Sequence, residues 1–255
     1  IFFPGGDIGK LSVNGTVNDL AMSGAKPLYL SLSFIIEEGL PQDELNKIVD
    51  SVQKAAQEAR VEIITGDTKV VHRGSADKLF INTAGVGIIP EGVNISGSNA
   101  KPEDKVLLSG TIGDHGIAVL SQREGLSFST QLESDCAPLG SLVAEMLEAS
   151  PNIHCLRDPT RGGLATTLNE LAKQSKVSIR IEEEKVLVRE EVLAACEMLG
   201  FDPLHVANEG KLVAIVAAKD ADKVLKAMRG NHYGGDTAII GEVRAEHPGR
   251  VVMKT

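Results

Sequence analysis

Four short segments of this chain place an acid beside glycines and turn formers: Gly15-Thr16-Val17-Asn18-Asp19, Gly66-Asp67-Thr68-Lys69, Asp158-Pro159-Thr160-Arg161-Gly162-Gly163-Leu164 and Ala207-Asn208-Glu209-Gly210-Lys211. Carboxylates that leave coordination positions free suit Mg²⁺, and the N–H groups of glycine turns suit phosphate oxygens. The pattern predicts a nucleotide site divided among several turns. Asn18 and Asp19 are expected on the first turn of a short helix, behind a glycine-rich segment. Each acid taken singly serves equally well as a turn former or cap, so the recurrence carries the prediction. No G-x-x-x-x-G-K-[ST] motif or protein-kinase signature occurs, and another phosphate-binding architecture is required. The Gly110–Gly116 turn is too generic to add to this.

The elements that must hold these segments follow from periodicity. Pro27–Glu37 is rich in Leu, Phe and Ile and reads as a buried strand. Pro41 then sits at a favoured first helical position, and apolar residues at three- and four-residue spacing carry a helix to about Arg60. Val61–Thr65 and Leu79–Ile89 read as strands, with Gly66-Asp67-Thr68-Lys69 as a turn at a strand's carboxyl end. Pro90–Pro102 is dense in turn formers and reads as a junction between two domains. Beyond it, a strand is predicted at Asp104–Ser109 and a helix ending near Arg123. Further helices are predicted at Pro138–Glu148, Arg161–Lys173, Arg189–Leu199 and Ala221–Met228. Strands are predicted at Val177–Glu182, Lys211–Val216, Thr237–Val243 and Arg250–Met253. This alternation is α/β or α+β.

Composition bounds the function. The 255 residues are 42% hydrophobic with only 3% aromatics, so the core is built from Val, Ile, Leu and Ala. A net charge of −9 with no Lys/Arg run argues against nucleic acid as a partner. No stretch approaches the roughly 20 apolar residues of a membrane span, and a soluble, cytoplasmic protein is expected. Ile1 in place of Met suggests a piece of a longer chain. Cys136, Cys155 and Cys196 have neither disulfide nor zinc-site spacing. Cys196 is expected in the core and Cys136 at the surface. His72 and His115 are expected to be structural or surface groups.

The run Val17-Asn-Asp-Leu-Ala-Met-Ser-Gly-Ala-Lys-Pro27 resembles the signature of the aminoimidazole-ribotide-synthetase, or PurM-like, superfamily of ATP-using enzymes. Gly66-Asp67-Thr68, Asp158–Leu164 and Ile240-Gly241-Glu242-Val243 follow in that family's order across nearly the whole chain. Within it, Phe2–Lys10, Gly66–Val71 and Ala207–Lys211 most resemble the HypE family, the carbamoyl dehydratases of [NiFe]-hydrogenase maturation. The resemblance implies an α+β, two-domain PurM-like fold. Residues 1–92 would pair with their twin into a dimeric β-barrel, and residues 98–255 would form an α/β sandwich closing over the nucleotide.

It also implies a chemistry. ATP and Mg²⁺ are the expected cofactors, with Asp7, Lys10, Asn18, Asp19, Asp67, Thr68 and Asp158 binding nucleotide and Asp19, Asp67 and Asp158 on the metal. Lys69 and Glu209 would face an S-carboxamide on a C-terminal cysteine, which ATP converts to a thiocyanate. Implied partners are a second copy, the carbamoyl transferase HypF and the iron-carrying HypC–HypD complex. The family's Pro-Arg-Ile-Cys tail does not follow Val251-Val252-Met253-Lys254-Thr255, so none of the three cysteines is the acceptor. The alternatives are an ATP-dependent phosphotransferase of the same superfamily, such as a selenophosphate synthetase, and a non-catalytic nucleotide-binding scaffold. Lys69 directly after Gly-Asp-Thr favours the dehydratase over the other enzymes.

Overall fold

The computed structural model describes residues 1–125 and 132–255. A two-strand hairpin, β1 (Phe2–Phe3) and β2 (Gly6–Asp7), leads into α1 (Ile8–Met22). Asp7 caps that helix, its Oδ1 accepting from the Gly9 and Lys10 amides at 2.7 and 3.1 Å. Next come β3 (Lys26–Glu37), α2 (Gln42–Ala59), β4 (Glu62–Val71) and β5 (Leu79–Ile88). The sheet order is β4-β3-β5, with β4 parallel and β5 antiparallel to β3. Strand alternation sends Leu30, Leu32 and Phe34 into a core with Val13, Val17 and Val52 of the two helices. The opposite face is left open and apolar: Tyr29, Ile35, Phe80, Val86 and Ile88 are all exposed.

Two expectations fail in this region. Asn18 and Asp19 do not start a short helix, because α1 begins at Ile8 and places them near its C-terminal end. Gly15 lies inside the helix, where a Cβ would meet nothing and glycine costs only about 1 kcal/mol relative to alanine. Gly66–Lys69 is likewise not a turn; it runs through the middle of β4, paired with Leu32–Ile35. The glycine there marks a close approach between strands, since a Cβ on Gly66 would lie 1.9 Å from the Leu32 carbonyl oxygen.

After a connecting stretch, β6 (Lys105–Leu108), α3 (Asp114–Glu124), α4 (Gly140–Ala149), β7 (Ile153–Arg157), α5 (Gly163–Ser175) and β8 (Ser178–Glu182) follow. The chain ends with α6 (Glu190–Leu199), β9 (Val213–Val216), α7 (Ala221–Gly230), β10 (Ala238–Arg244) and β11 (Val251–Lys254). These strands form one sheet in the order β11-β8-β10-β6-β9-β7, antiparallel except for the β11–β8 pair. Its central strands are buried on both faces. Val106, Leu108, Val213 and Ile215 pack on Leu164, Leu168 and Leu171 of α5. Leu107, Ala214 and Val216 pack on Leu142 and Met146 of α4 and Val224 and Met228 of α7. Ala21 and Met22 of α1 join this second cluster, so one helix belongs to both cores. The edge strand β7 was not foreseen, because a five-residue run interrupted by His154 and Arg157 shows no clean period-two alternation.

Candidate functional site

The site is built where α1 meets two loops of the larger sheet. Lys10, Asn14 and Asn18 recur every four residues and share one face of α1. Asn18 is 2% exposed. Its Nδ2 donates to the Ala137 and Glu209 carbonyls at 3.0 and 3.2 Å, and its Oδ1 accepts from the Leu139 amide at 2.8 Å. Its amide is therefore committed to joining the helix to both loops.

Glu209 lies on the loop leading into β9, and that loop is fixed by its neighbour Asn208. The buried Asn208 side chain accepts from the Gly113 amide at 2.7 Å and donates to the Pro159 carbonyl at 2.9 Å. The Pro159 bond brings the Asp158 turn, which follows β7, against the Glu209 loop. At that turn Gly162 and Gly163 adopt φ of 74° and 61°, and a Cβ on Gly163 would lie 2.5 Å from the Leu204 carbonyl oxygen. Only glycine leads into α5 here.

Electrostatics mark this junction. Burial, followed by the charges of Asp135, Asp158 and Asp19, pushes the Glu209 carboxyl up to about 7, with Arg161 opposing. Asp158 is raised by burial and partly offset by a backbone amide and Arg157. Asp19 is exposed yet crowded by protein, and desolvation and then Asp158 raise it, with Arg157 and Arg161 opposing. A carboxyl titrating near 7 can take up a proton at neutral pH, and the two acids beside it are raised chiefly by desolvation, against the opposing charge of Arg157.

One chain therefore brings together Asn18, Asp19, Asp158 and Glu209, with Lys10 on the same helix face. Asp7 is occupied as the α1 cap, and the Lys10 ammonium donates to the Gly5 carbonyl at 3.3 Å. Asp67 and Lys69 pair in register with Ser33 and Ile35, on the sheet face turned away from α1, while Thr68 pairs with Phe34 on the helix side. Among the described residues, no three His, Cys, Asp or Glu side chains converge to hold a metal ion, so Asp19, Asp67 and Asp158 are not assembled within one chain. Cys136 is buried rather than at the surface, and burial pushes its thiol up to about 12. Cys155 is buried and pushed up to about 11. His72 is exposed beside Glu38, whereas His115 is buried with its Nδ1 2.8 Å from Ser134 Oγ. Sequence reasoning overlooked Asp135 and the joining role of Asn18. Long-range partners decide both, and no local pattern signals them.

Family comparison agrees with this architecture. The models for the N- and C-terminal domains of AIR synthase related protein match residues 1–89 and 101–254. Carbamoyl dehydratase HypE of Cupriavidus necator is 58% identical over 255 residues, covering 100% of this chain and 73% of that protein. The chain belongs to the HypE family of carbamoyl dehydratases. The fold is the two-domain PurM-like fold of those proteins. A HypE solved in complex with HypF superposes with a TM-score of 0.97 at 55% identity, over 100% of this chain and 83% of that one. A HypE solved with ATP gives a TM-score of 0.97 at 52% identity, over 100% and 78% of the two chains. Carbamoyl dehydratases of this family serve hydrogenase maturation. Among the described residues no helix is long and apolar enough to cross a membrane.

Proposed function

We propose that this chain uses ATP to dehydrate an S-carboxamide, carried on a cysteine at the C-terminus of the full-length protein, to a thiocyanate for hydrogenase maturation. The observation that carries the reading is the convergence of the Glu209 loop, the Asp158 turn and the Asn18–Asp19 end of α1, held by the Asn18 and Asn208 side chains, with burial and the neighbouring acids pushing Glu209 up to about 7. An amide oxygen is a poor leaving group. Transfer of the γ-phosphoryl group to it forms an O–P bond and releases ADP. One N–H proton passes to water in that transfer, leaving an O-phosphoryl imidate; breaking its C–O bond then expels inorganic phosphate, while Glu209 takes the second N–H proton and the nitrile forms. A carboxylate of ordinary proton affinity would be a much weaker base for that proton. The ATP-bound relative supports ATP as the nucleotide.

Mg²⁺ suits the donor set of Asp19 and Asp158. It is commonly bound by one or two carboxylates together with substrate phosphates, and Asp19 and Asp158 form such a pair. Bound there with the nucleotide, the ion would neutralise phosphate charge. Asp19 and Asp158 are raised by desolvation, and for Asp19 also by the Asp158 charge, so a bound cation would offset the cost of keeping both ionised.

The open apolar face of the β4-β3-β5 sheet supports a homodimer, because exposed Tyr29, Ile35, Phe80, Val86 and Ile88 form a continuous surface that a second copy would cover. Asp67 and Lys69 lie on this face, and we propose that Asp67 and Lys69 of the partner subunit complete the Asp19–Glu209 cluster. Sedimentation at micromolar concentration should show a dimer; a monomer overturns this assembly. The relative solved with HypF supports HypF as a partner; we propose further that HypF is the carbamoyl donor and that a HypC–HypD type complex receives the cyano group.

The test uses the full-length protein carrying the carbamoylated cysteine. With Mg·ATP, its tail mass should fall by one water as ADP and phosphate appear. ATP binding without turnover would favour a scaffold, and phosphate transfer to an added acceptor without loss of water would favour a phosphotransferase.

A further inference from the structure

Glu209 has no helix or strand to hold it, yet both of its backbone groups are fixed by buried side chains from elsewhere. Its carbonyl accepts from Asn18 Nδ2 at 3.2 Å. Its amide donates to Asp135 Oδ1 at 3.0 Å. The Asp135 side chain is 2% exposed, and its other oxygen lies 3.3 Å from the Lys211 ammonium, which is itself 14% exposed. One carboxylate thus grips the Glu209 loop at two points, on either side of Gly210.

The segment carrying Asp135 is itself pinned. The Ser134 amide donates to the Pro4 carbonyl at 2.8 Å, and the Cys136 amide donates to Ser134 Oγ at 3.1 Å. Ser134 Oγ also meets His115 Nδ1. Gly210 lets the two segments touch, for a Cβ there would lie 1.7 Å from the Asp135 carbonyl oxygen. Buried charge-assisted contacts of this kind hold geometry more firmly than exposed ones.

We propose that Asp135 is a positioning residue for dehydration, fixing the backbone from which Glu209 reaches the thiocarboxamide. The inference rests on Glu209 as the base. Removing the Glu209 N–H acceptor should let the loop drift, and a misplacement of about 1 Å can cost up to about 100-fold in rate.

Removing Asp135 alone would strand the buried Lys211, so the test is made in a Lys211→Met background. Asp135→Asn/Lys211→Met keeps an oxygen to accept the Glu209 amide; Asp135→Ala/Lys211→Met does not. In full-length carbamoylated protein, single-turnover dehydration is measured per ATP-binding site, which counts only folded molecules. The Asn variant should stay within about threefold of wild type, and the Ala variant should fall at least about tenfold with its KM for ATP unchanged. Adding Glu209→Gln should abolish the difference between the two, because both then lack the base. Equal rates for the Asn and Ala variants, a tenfold loss in the Asn variant, or a difference that persists with Glu209→Gln would each overturn the proposal. If Glu209→Gln alone leaves the rate intact, the assignment of the base fails instead, and the two failures are told apart. Should the Ala variant not fold, Asp135→Val/Lys211→Met, which likewise offers the Glu209 amide no acceptor, takes its place with the same expected and overturning results.

Discussion

Replacing Glu209 by Gln should make the nucleotide-free protein more stable, and only at neutral and alkaline pH. The fold raises this carboxyl from 4.5 to about 7, with burial the first cause and the Asp135 charge the second. Folding therefore favours its protonated form. Below about pH 4.5 the group is protonated in both folded and unfolded chains, and no penalty exists. Between about 4.5 and 7 the unfolded chain gives up the proton first, and stability falls as pH rises. Above about 7 the folded protein carries a buried anion at a constant cost of about 3 kcal/mol, from about 1.36 kcal/mol per pH unit. Among the described residues the carboxyl makes no hydrogen bond that an amide would lose. Thermal melts of wild type and Glu209→Gln should differ by under about 1 kcal/mol at pH 5 and about 3 kcal/mol at pH 8, the latter roughly 6–12 °C in Tm for a chain of this size. A Tm difference that is the same at both pH values, or that favours wild type at pH 8, would refute the burial argument and with it the poise of Glu209.

Three further outcomes follow from the geometry. Asn18→Ala removes three hydrogen bonds between α1 and the loops at 137–139 and 209, and should lower stability by about 3 kcal/mol in urea unfolding; a loss below about 1 kcal/mol would show that those bonds are replaced by water. Asp7→Ala removes the α1 cap and should destabilise by about 1 kcal/mol, with little effect on ATP affinity measured by titration calorimetry; a tenfold weaker affinity would make Asp7 a nucleotide ligand after all. If the site is completed across a dimer, Lys69→Ala and Glu209→Gln proteins, each inactive alone, should recover roughly a quarter of wild-type turnover when mixed and allowed to exchange subunits, because half of the dimers then hold one intact site. No recovery after verified exchange would place both residues in one chain's site.

The amino-acid sequence determined most elements of the larger sheet and its helices, because Val, Ile and Leu at period two or 3.6 leave little choice of face. Val213–Val216 and the α5 leucines were legible for that reason. It also determined the acid-bearing turns at Asp158 and Glu209, where glycines of special backbone or close approach announce themselves. Local sequence misled where a glycine served tertiary packing: Gly66 reads as a turn, and only the close pairing of β4 with β3 shows it to be a strand residue. The tertiary structure alone decided that Asn18 is a joint, that Cys136 is buried and that Asp67 and Lys69 face away from α1. Each of these depends on partners far along the chain, such as Leu139 and Glu209 for Asn18 or Asn14 for the Cys136 thiol. The proton affinity of Glu209 belongs to the same class. Burial and then three carboxylates from three other segments set it, and their convergence is a property of the packed fold.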